Sequence, residues 1–404
     1  MLIKTNGQYI QDEQRIEKIA KTIKQRFVTY GFKRVYTSVF EKYDLYSQVR
    51  SSINQNEMIK VIDHLNQVLV MRPDVTLPVT RQLAKEYSSL PHELRYYYIE
   101  DVYRKPVEHL DKIETTQAGV EYFCESSPEA DAEVIALAIH MLKDLGFQSV
   151  KIELGHAGFF NEIIQALDIS KEEAEQLKQL IRAKNIAEME PFLEQLQIES
   201  SVKAAVAKIP FLYGNPIDVC EKARQITFTE GMEEKIDYFI ELFRILEMYG
   251  VAEHVVMDLG LINHMDYYSG VIFQGFVENI GMPALMGGRY NQLGDFFHAD
   301  LPAIGFACKL NTLMLALAQM QEKPRKMIDA IIVYDEENKE SAIKLATALR
   351  LKKYKVIVTT DHNLAKDERL AKYKFNMLND SYMLEGSSEG SKPSSIEAFM
   401  QGLK

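Results

Sequence analysis

The stretch Tyr98–Phe123, YIEDVYRKPVEHLDKIETTQAGVEYF, decides how the rest of the chain is read. It places glycine, aromatic and charged residues inside strand-like sequence, a mixture unusual for pure core. Three other stretches share that texture: Met71–Arg81 (MRPDVTLPVTR), Asn263–Phe273 (NHMDYYSGVIF) and Gly287–Ala307 (GGRYNQLGDFFHADLPAIGFA). Asp74, Gln117 and Glu121 offer acceptors to an ammonium or imidazole N–H, while Tyr267, Tyr268 and Tyr290 suit the walls of a small planar ligand. That combination describes an amino-acid pocket. The competing reading is structural, with the carboxylates and amides satisfying buried strand ends and the tyrosines packing half-buried.

Around these stretches, apolar periodicity sets the elements. Ile16, Ile19, Ile23 and Phe27 form one stripe of an amphipathic helix over Arg15–Tyr30, closed by Gly31. Strand-like runs follow at Gln67–Met71 and Arg95–Val102, and a long helix at Ala130–Leu145. Strands in succession with helices between them predict a mixed or antiparallel sheet with helices on one face. From Phe159 to Tyr249 nearly every apolar residue falls at helical spacing, which predicts an all-helical insert. Within it, Ser170 followed by Glu173 fits a capping box, and Ile236, Phe239, Ile240, Phe243 and Leu246 form an apolar face ended by Gly250. Strand-like sequence returns at Val255–Leu261, Val271–Val277 and Ala303–Cys308, ahead of a helix over Leu310–Met320. The insert, about residues 160–250, therefore interrupts one domain, 1–320. After the polar stretch Gln321–Lys326, a strand over Asp329–Tyr334, a helix over Lys339–Leu351 and a strand over Lys355–Thr359 give the βαβ rhythm of a small α/β domain, 327–404. The Ser/Gly-rich Gly386–Ser395 reads as a flexible loop or frayed end.

Composition limits the function classes. The 404 residues carry 47 Lys plus Arg against 58 Asp plus Glu, a net charge of -11, so no global basic field draws the molecule to nucleic acid or anionic lipid. Cys124, Cys220 and Cys308 are too few and too scattered for a disulfide framework or a CxxC zinc site, which points to the cytosol. No membrane span, signal peptide, metal site or cofactor is expected, since no histidine pair has i, i+4 spacing and no 18-residue apolar run occurs. The 17 methionines read as core filling, and the Gly287–Arg289 triplet as a tight turn rather than a phosphate loop.

In their order, RPDxT, then YR with QxGxE, then DYY, then GGRY with PAIGFA, these motifs resemble the catalytic core of the class II histidyl-tRNA synthetases, over about residues 10–320. The resemblance implies an α+β fold, a class II aminoacyl-tRNA synthetase-like antiparallel sheet of six strands flanked by helices, and a dimer. It maps histidine contacts onto Asp74, Thr76, Gln117, Glu121, Tyr268, Tyr290 and Gly305, with Tyr267 alongside and Arg104 as the second-motif arginine. Asp74 is one methylene shorter than the usual glutamate, and Ser38 and Asn291 also depart from the pattern.

The same resemblance locates what is missing. Synthetases hold ATP phosphates with arginines where this chain has Asn263 and Thr312, and a basic run has become Glu108–Thr116 with Lys112 its one cation. If each lost cation removes about 3 kcal/mol of transition-state stabilisation, two losses slow adenylation by roughly four orders of magnitude. Lys309 is the one nearby substitute. One branch of the family has lost synthetase activity and serves as the regulatory subunit of ATP phosphoribosyltransferase, the first enzyme of histidine biosynthesis. The expectation is that branch: no catalytic residue, a partner in the short-form catalytic subunit, a dimer within a hetero-octamer, no tRNA, and histidine as a candidate ligand, with two places open to it, the synthetase-like pocket and the interface with the catalytic chain. The alternatives are a divergent histidyl-tRNA synthetase using Arg104 and Lys309, and a free-standing histidine sensor. Residues 326–404, with 13 Lys plus Arg and 12 Asp plus Glu, lack the cation excess of a tRNA reader, and Lys352, Lys353 and Lys355 read as a solvated face.

Overall fold

The computed structural model describes residues 6–49, 55–87, 92–106, 113–262, 267–319, 328–361, 371–378 and 381–385. The chain forms two compact units, Met1–Met320 and Gln321–Lys404. In the first, α1 (Asn6–Thr29) begins upstream of the predicted start. It buries Ile19, Ile23 and Phe27 and ends before Gly31, whose φ of +79° is the left-handed value a residue without Cβ adopts freely. Next come β1 (Lys33–Arg34), β2 (Phe40–Lys42), α2 (Tyr43–Gln48), β3 (Lys60–Ile62), β4 (Val68–Met71), α3 (Thr76–Glu86), β5 (Leu94–Tyr103), β6 (Glu114–Phe123), α4 (Pro128–Asp144) and β7 (Val150–His156).

Helices then dominate: α5 (Ala157–Leu167), α6 (Lys171–Arg182), α7 (Ile186–Gln195) and α8 (Ser200–Val206), a short strand β8 (Tyr213–Gly214), and α9 (Pro216–Arg224) and α10 (Glu230–Met248). The unit finishes with β9 (Val255–Asp258), β10 (Val271–Val277), β11 (Leu285–Arg289), β12 (Ala303–Lys309) and α11 (Leu310–Gln319). Six strands run antiparallel in the order β5-β6-β12-β11-β10-β7. At the edges, β1 joins β5 in parallel, β9 joins β7 in parallel, and β8 pairs antiparallel with β9. A separate small sheet has the order β2-β4-β3.

Alternation along the strands gives the sheet two different faces. Ala118, Val120 and Tyr122 of β6, with Ile304, Phe306 and Cys308 of β12, enter the core that also holds α1, α4, α11 and the helical segment's Phe159, Leu177 and Phe239. Residues of the opposite parity, Phe123, Ala303 and Ala307, pack with Leu77, Val79 and Leu83 of α3 in a second cluster. Helices therefore flank both faces, not one as the alternation of strands and helices predicts, because α3 carries its own apolar stripe onto the far side. The stretch 159–249 is not all helix either, since Tyr213 and Gly214 pair with Asp258 and Met257.

The second unit contains β13 (Ile328–Tyr334), α12 (Lys339–Leu351), β14 (Val356–Thr359), β15 (Ala371–Leu378) and β16 (Ser381–Glu385). Its sheet has the order β14-β13-β15-β16, with β13 parallel to both neighbours. The predicted βαβ rhythm is β13–α12–β14. Gly386–Ser395 lies outside the described residues.

Candidate functional site

The candidate pocket lies on the sheet face that looks toward α3. Gln117, Gly119 and Glu121 share this face of β6, and register sets Gly305 opposite Glu121 and Lys309 opposite Gln117. Glu121 is 2% exposed, yet both its oxygens are engaged. Thr76, the first residue of α3, donates its hydroxyl to Oε1 at 2.6 Å, and the buried Tyr290 donates its hydroxyl to Oε2. Burial pushes the Glu121 carboxyl up to about 8, against the pull of those two hydroxyls. Gly305 is what lets the carboxylate lie here: a Cβ at that position would fall 2.3 Å from both Glu121 Oε2 and the Val120 carbonyl oxygen.

Asp74 stands just before α3. Its Oδ1 accepts the Leu77 N–H at 2.8 Å, satisfying one of the amides that a helix start leaves open. Oδ2 is buried and has no hydrogen-bond partner among the described residues. Burial raises the carboxyl above its ordinary range, opposed by the Leu77 amide and by the charge of Arg104. Arg104 itself donates Nε–H to the Pro73 carbonyl at 2.7 Å, tying the end of β5 to the loop that carries Asp74. The Tyr267 and Tyr268 rings are 4.7 Å apart between centroids, and Tyr267 stands edge-on to Tyr290 at 5.9 Å.

Of the residues singled out in the sequence, Asp74, Thr76, Glu121, Tyr267, Tyr268, Tyr290 and Gly305 thus meet in one neighbourhood, with Gln117 farther along the same strand face. Thr312 sits half-buried on α11, and Lys309 is exposed at the end of β12. Asn263, Glu108 and Lys112 lie outside the described residues. The Gly287–Arg289 triplet is not a turn but the body of β11. A Cβ on Gly287 would meet the Gly305 carbonyl oxygen at 2.4 Å, and one on Gly288 the Val271 carbonyl oxygen at 2.6 Å, so close strand approach explains both glycines.

Two structural arginines escaped sequence reasoning. Arg72, 2% exposed, donates to the Thr37 carbonyl at 2.7 Å, the Asp101 carbonyl at 2.7 Å and Glu100 at 3.2 Å, fastening β4 to β5. Arg289, 4% exposed, forms a buried ion pair with Asp131 of α4. For Arg72 the available signal was a lone cation directly after the apolar strand run Val68–Met71, a place where solvation is lost and partners are obligatory.

Residues 9–313 match the protein family described as histidyl-tRNA synthetase. An ATP phosphoribosyltransferase regulatory subunit of Oceanobacillus iheyensis is 39% identical over 383 residues, covering 95% of this chain and 93% of the relative. The chain belongs to the ATP phosphoribosyltransferase regulatory subunit family. A second such regulatory subunit, from Ruminiclostridium cellulolyticum, is 33% identical over 341 residues, 84% of this chain and 81% of its own. Among solved structures, an ATP phosphoribosyltransferase regulatory subunit/histidyl-tRNA synthetase of Bacillus halodurans superposes with a TM-score of 0.80 at 27% identity, covering 91% of this chain and 95% of that one. A histidyl-tRNA synthetase of a Nostoc species reaches the same TM-score at 18% identity over 97% and 96% of the two chains, a likeness of fold. The regulatory subunit family thus keeps the class II synthetase-like architecture. No helix among the described residues is long and apolar enough to cross a membrane.

Proposed function

We propose that this chain is a non-catalytic subunit that assembles with the short-form catalytic chain of ATP phosphoribosyltransferase and relays histidine feedback to it. One observation carries the reading: kinship over 95% of the chain with a protein named as that enzyme's regulatory subunit. In this reading histidine occupies the pocket between α3 and the sheet. Its ammonium takes the open Oδ2 of Asp74, its imidazole N–H competes for Glu121, and the tyrosines wall the ring. Arrival of a cation there favours ionised Glu121, returning part of the cost of charging a buried carboxyl. Asn263 and Thr312, where synthetases carry phosphate-binding arginines, leave adenylation unsupported. The subunits form a dimer within a hetero-octamer, tRNA plays no part, and the C-terminal unit, whose position and βαβ rhythm resemble a degraded anticodon-binding domain, serves as a subunit contact or is a remnant of that domain.

Co-purification of this chain with the catalytic chain, then phosphoribosyl transfer with and without histidine, is the test. The expected result is a stable complex whose activity needs this chain and falls as histidine rises. Absence of a complex would favour a free-standing sensor. The position of Lys309 on the pocket side of β12, opposite Gln117, favours one rival: a divergent synthetase using Lys309 and Arg104 as cations. Histidine-dependent ATP–pyrophosphate exchange by the purified chain at synthetase-like rates would establish that rival and overturn the proposal.

A further inference from the structure

Arg289 immediately precedes the pocket residue Tyr290, and its side chain serves a different set of partners. Its guanidinium donates Nε–H to Asp131 Oδ1 at 2.8 Å, adds a second bond to the same carboxylate through Nη2, and uses Nη1 for the Glu125 carbonyl at 2.8 Å and Asn291 Oδ1 at 3.0 Å. Asp131, fully buried on α4, also accepts the Tyr238 hydroxyl from α10. The Tyr238 ring stands edge-on to His156 at the end of β7, 5.5 Å between centroids. The backbone of Arg289 reaches the other way. Its carbonyl accepts the Ser269 N–H at 2.8 Å, and the Asn291 N–H donates to Ser269 Oγ at 3.0 Å, so the segment carrying Tyr267 and Tyr268 is fastened to the same short stretch.

A buried ion pair whose acceptors are filled does not deform gradually; it holds one arrangement or exchanges it for another. Any ligand that takes an oxygen of Glu121 competes with the Tyr290 hydroxyl, and movement of Tyr290 pulls on the residue bonded to it in the chain. We propose that the Arg289–Asp131–Tyr238 chain of contacts couples occupancy of the Glu121 pocket to the setting of helix α10, with Tyr238 as a positioning residue that makes no contact with the ligand. The inference rests on the pocket reading given above and adds a route by which occupancy leaves the pocket.

Hydrogen exchange on the full-length chain, followed by mass spectrometry with and without histidine, tests it. In the wild-type protein histidine is expected to slow exchange both in peptides spanning 285–290 and in those spanning 230–248. Tyr238→Phe keeps the ring against His156 and deletes only the hydroxyl. In this variant the slowing at 285–290 and the Kd for histidine, within about twofold, should persist while the response at 230–248 is lost. A full response at 230–248 in the variant would overturn the coupling and leave Tyr238 as a packing residue. Absence of any response at 285–290 in the wild type would instead remove the pocket reading itself, and the coupling with it. Should Tyr238→Phe fail to fold, Arg289→Lys, which keeps the charge but loses the two-pronged grip, is read in the same way.

Discussion

Glu121 shows how much one side chain is asked to do. An ordinary glutamate titrates near 4.5, whereas this one, buried, titrates at about 8. Between those values the unfolded chain has released a proton that the folded protein keeps. Stability linked to this group is therefore full below about pH 4.5 and is lost as pH rises through about 8. Replacing the carboxyl by an amide removes the titration, so Glu121→Gln is expected to flatten the decline of melting temperature across that window relative to the parent. Equal slopes for the two proteins would contradict a buried, protonated Glu121. Gly305 offers a second test at this scale. An added methyl has nowhere to go between Glu121 and the Val120 carbonyl, and Gly305→Ala should lower stability in urea by about 3 kcal/mol and weaken histidine binding together. Glu121 and Tyr290 stood out because polar groups inside strand-like sequence demand partners, whereas Thr76 was picked out only through the motif resemblance. Their mutual bonding was not legible, since Thr76 and Tyr290 are 214 positions apart in the chain and only folding brings both to one carboxylate.

Elements were legible in proportion to how local their determinants are. The capping box at the start of α6 was readable because both of its halves lie within four residues: the Ser170 hydroxyl accepts the Glu173 N–H at 3.2 Å, and Glu173 Oε2 accepts the Ser170 N–H at 2.8 Å. Ser170→Ala should cost about 1 kcal/mol and lower the melting temperature without altering histidine affinity. A change in affinity would mean that α6 communicates with the pocket. Strand β11 misled the same local reasoning. Paired glycines are turn signals when neighbours in sequence decide the conformation, but here the deciding neighbours are the carbonyls of Val271 and Gly305 on adjacent strands. Strand β8 escaped for a related reason, because two residues in a helical texture become a strand only through Met257 and Asp258, more than forty positions away. The six antiparallel strands expected from the motif resemblance are present, and β9 falls in the strand-like run Val255–Leu261, while β1 and the parallel pairings of β1 with β5 and of β9 with β7 required the coordinates.

At the scale of the molecule, every pocket residue comes from the first of the two units. Asp74 and Thr76 enter at α3, Glu121 on β6, Tyr290 after β11 and Gly305 on β12, all within Met1–Met320. The boundary of a functional truncation is fixed by α11, whose Leu310, Leu313, Met314 and Ala316 are buried in the core shared with α1 and α4. Ending the chain before α11 would expose that core. Ending it at residue 320 keeps the helix and removes a unit that has a core of its own, built on Ile332, Leu345 and Phe375. The fragment 1–320 is therefore expected to unfold cooperatively and to bind histidine with a Kd within about threefold of the full chain, whereas 1–309 should aggregate or melt far earlier. Titration calorimetry on the two fragments decides it. Loss of binding in a well-folded 1–320 fragment would show that the C-terminal unit supports the pocket, and would give that unit a part in sensing rather than in assembly.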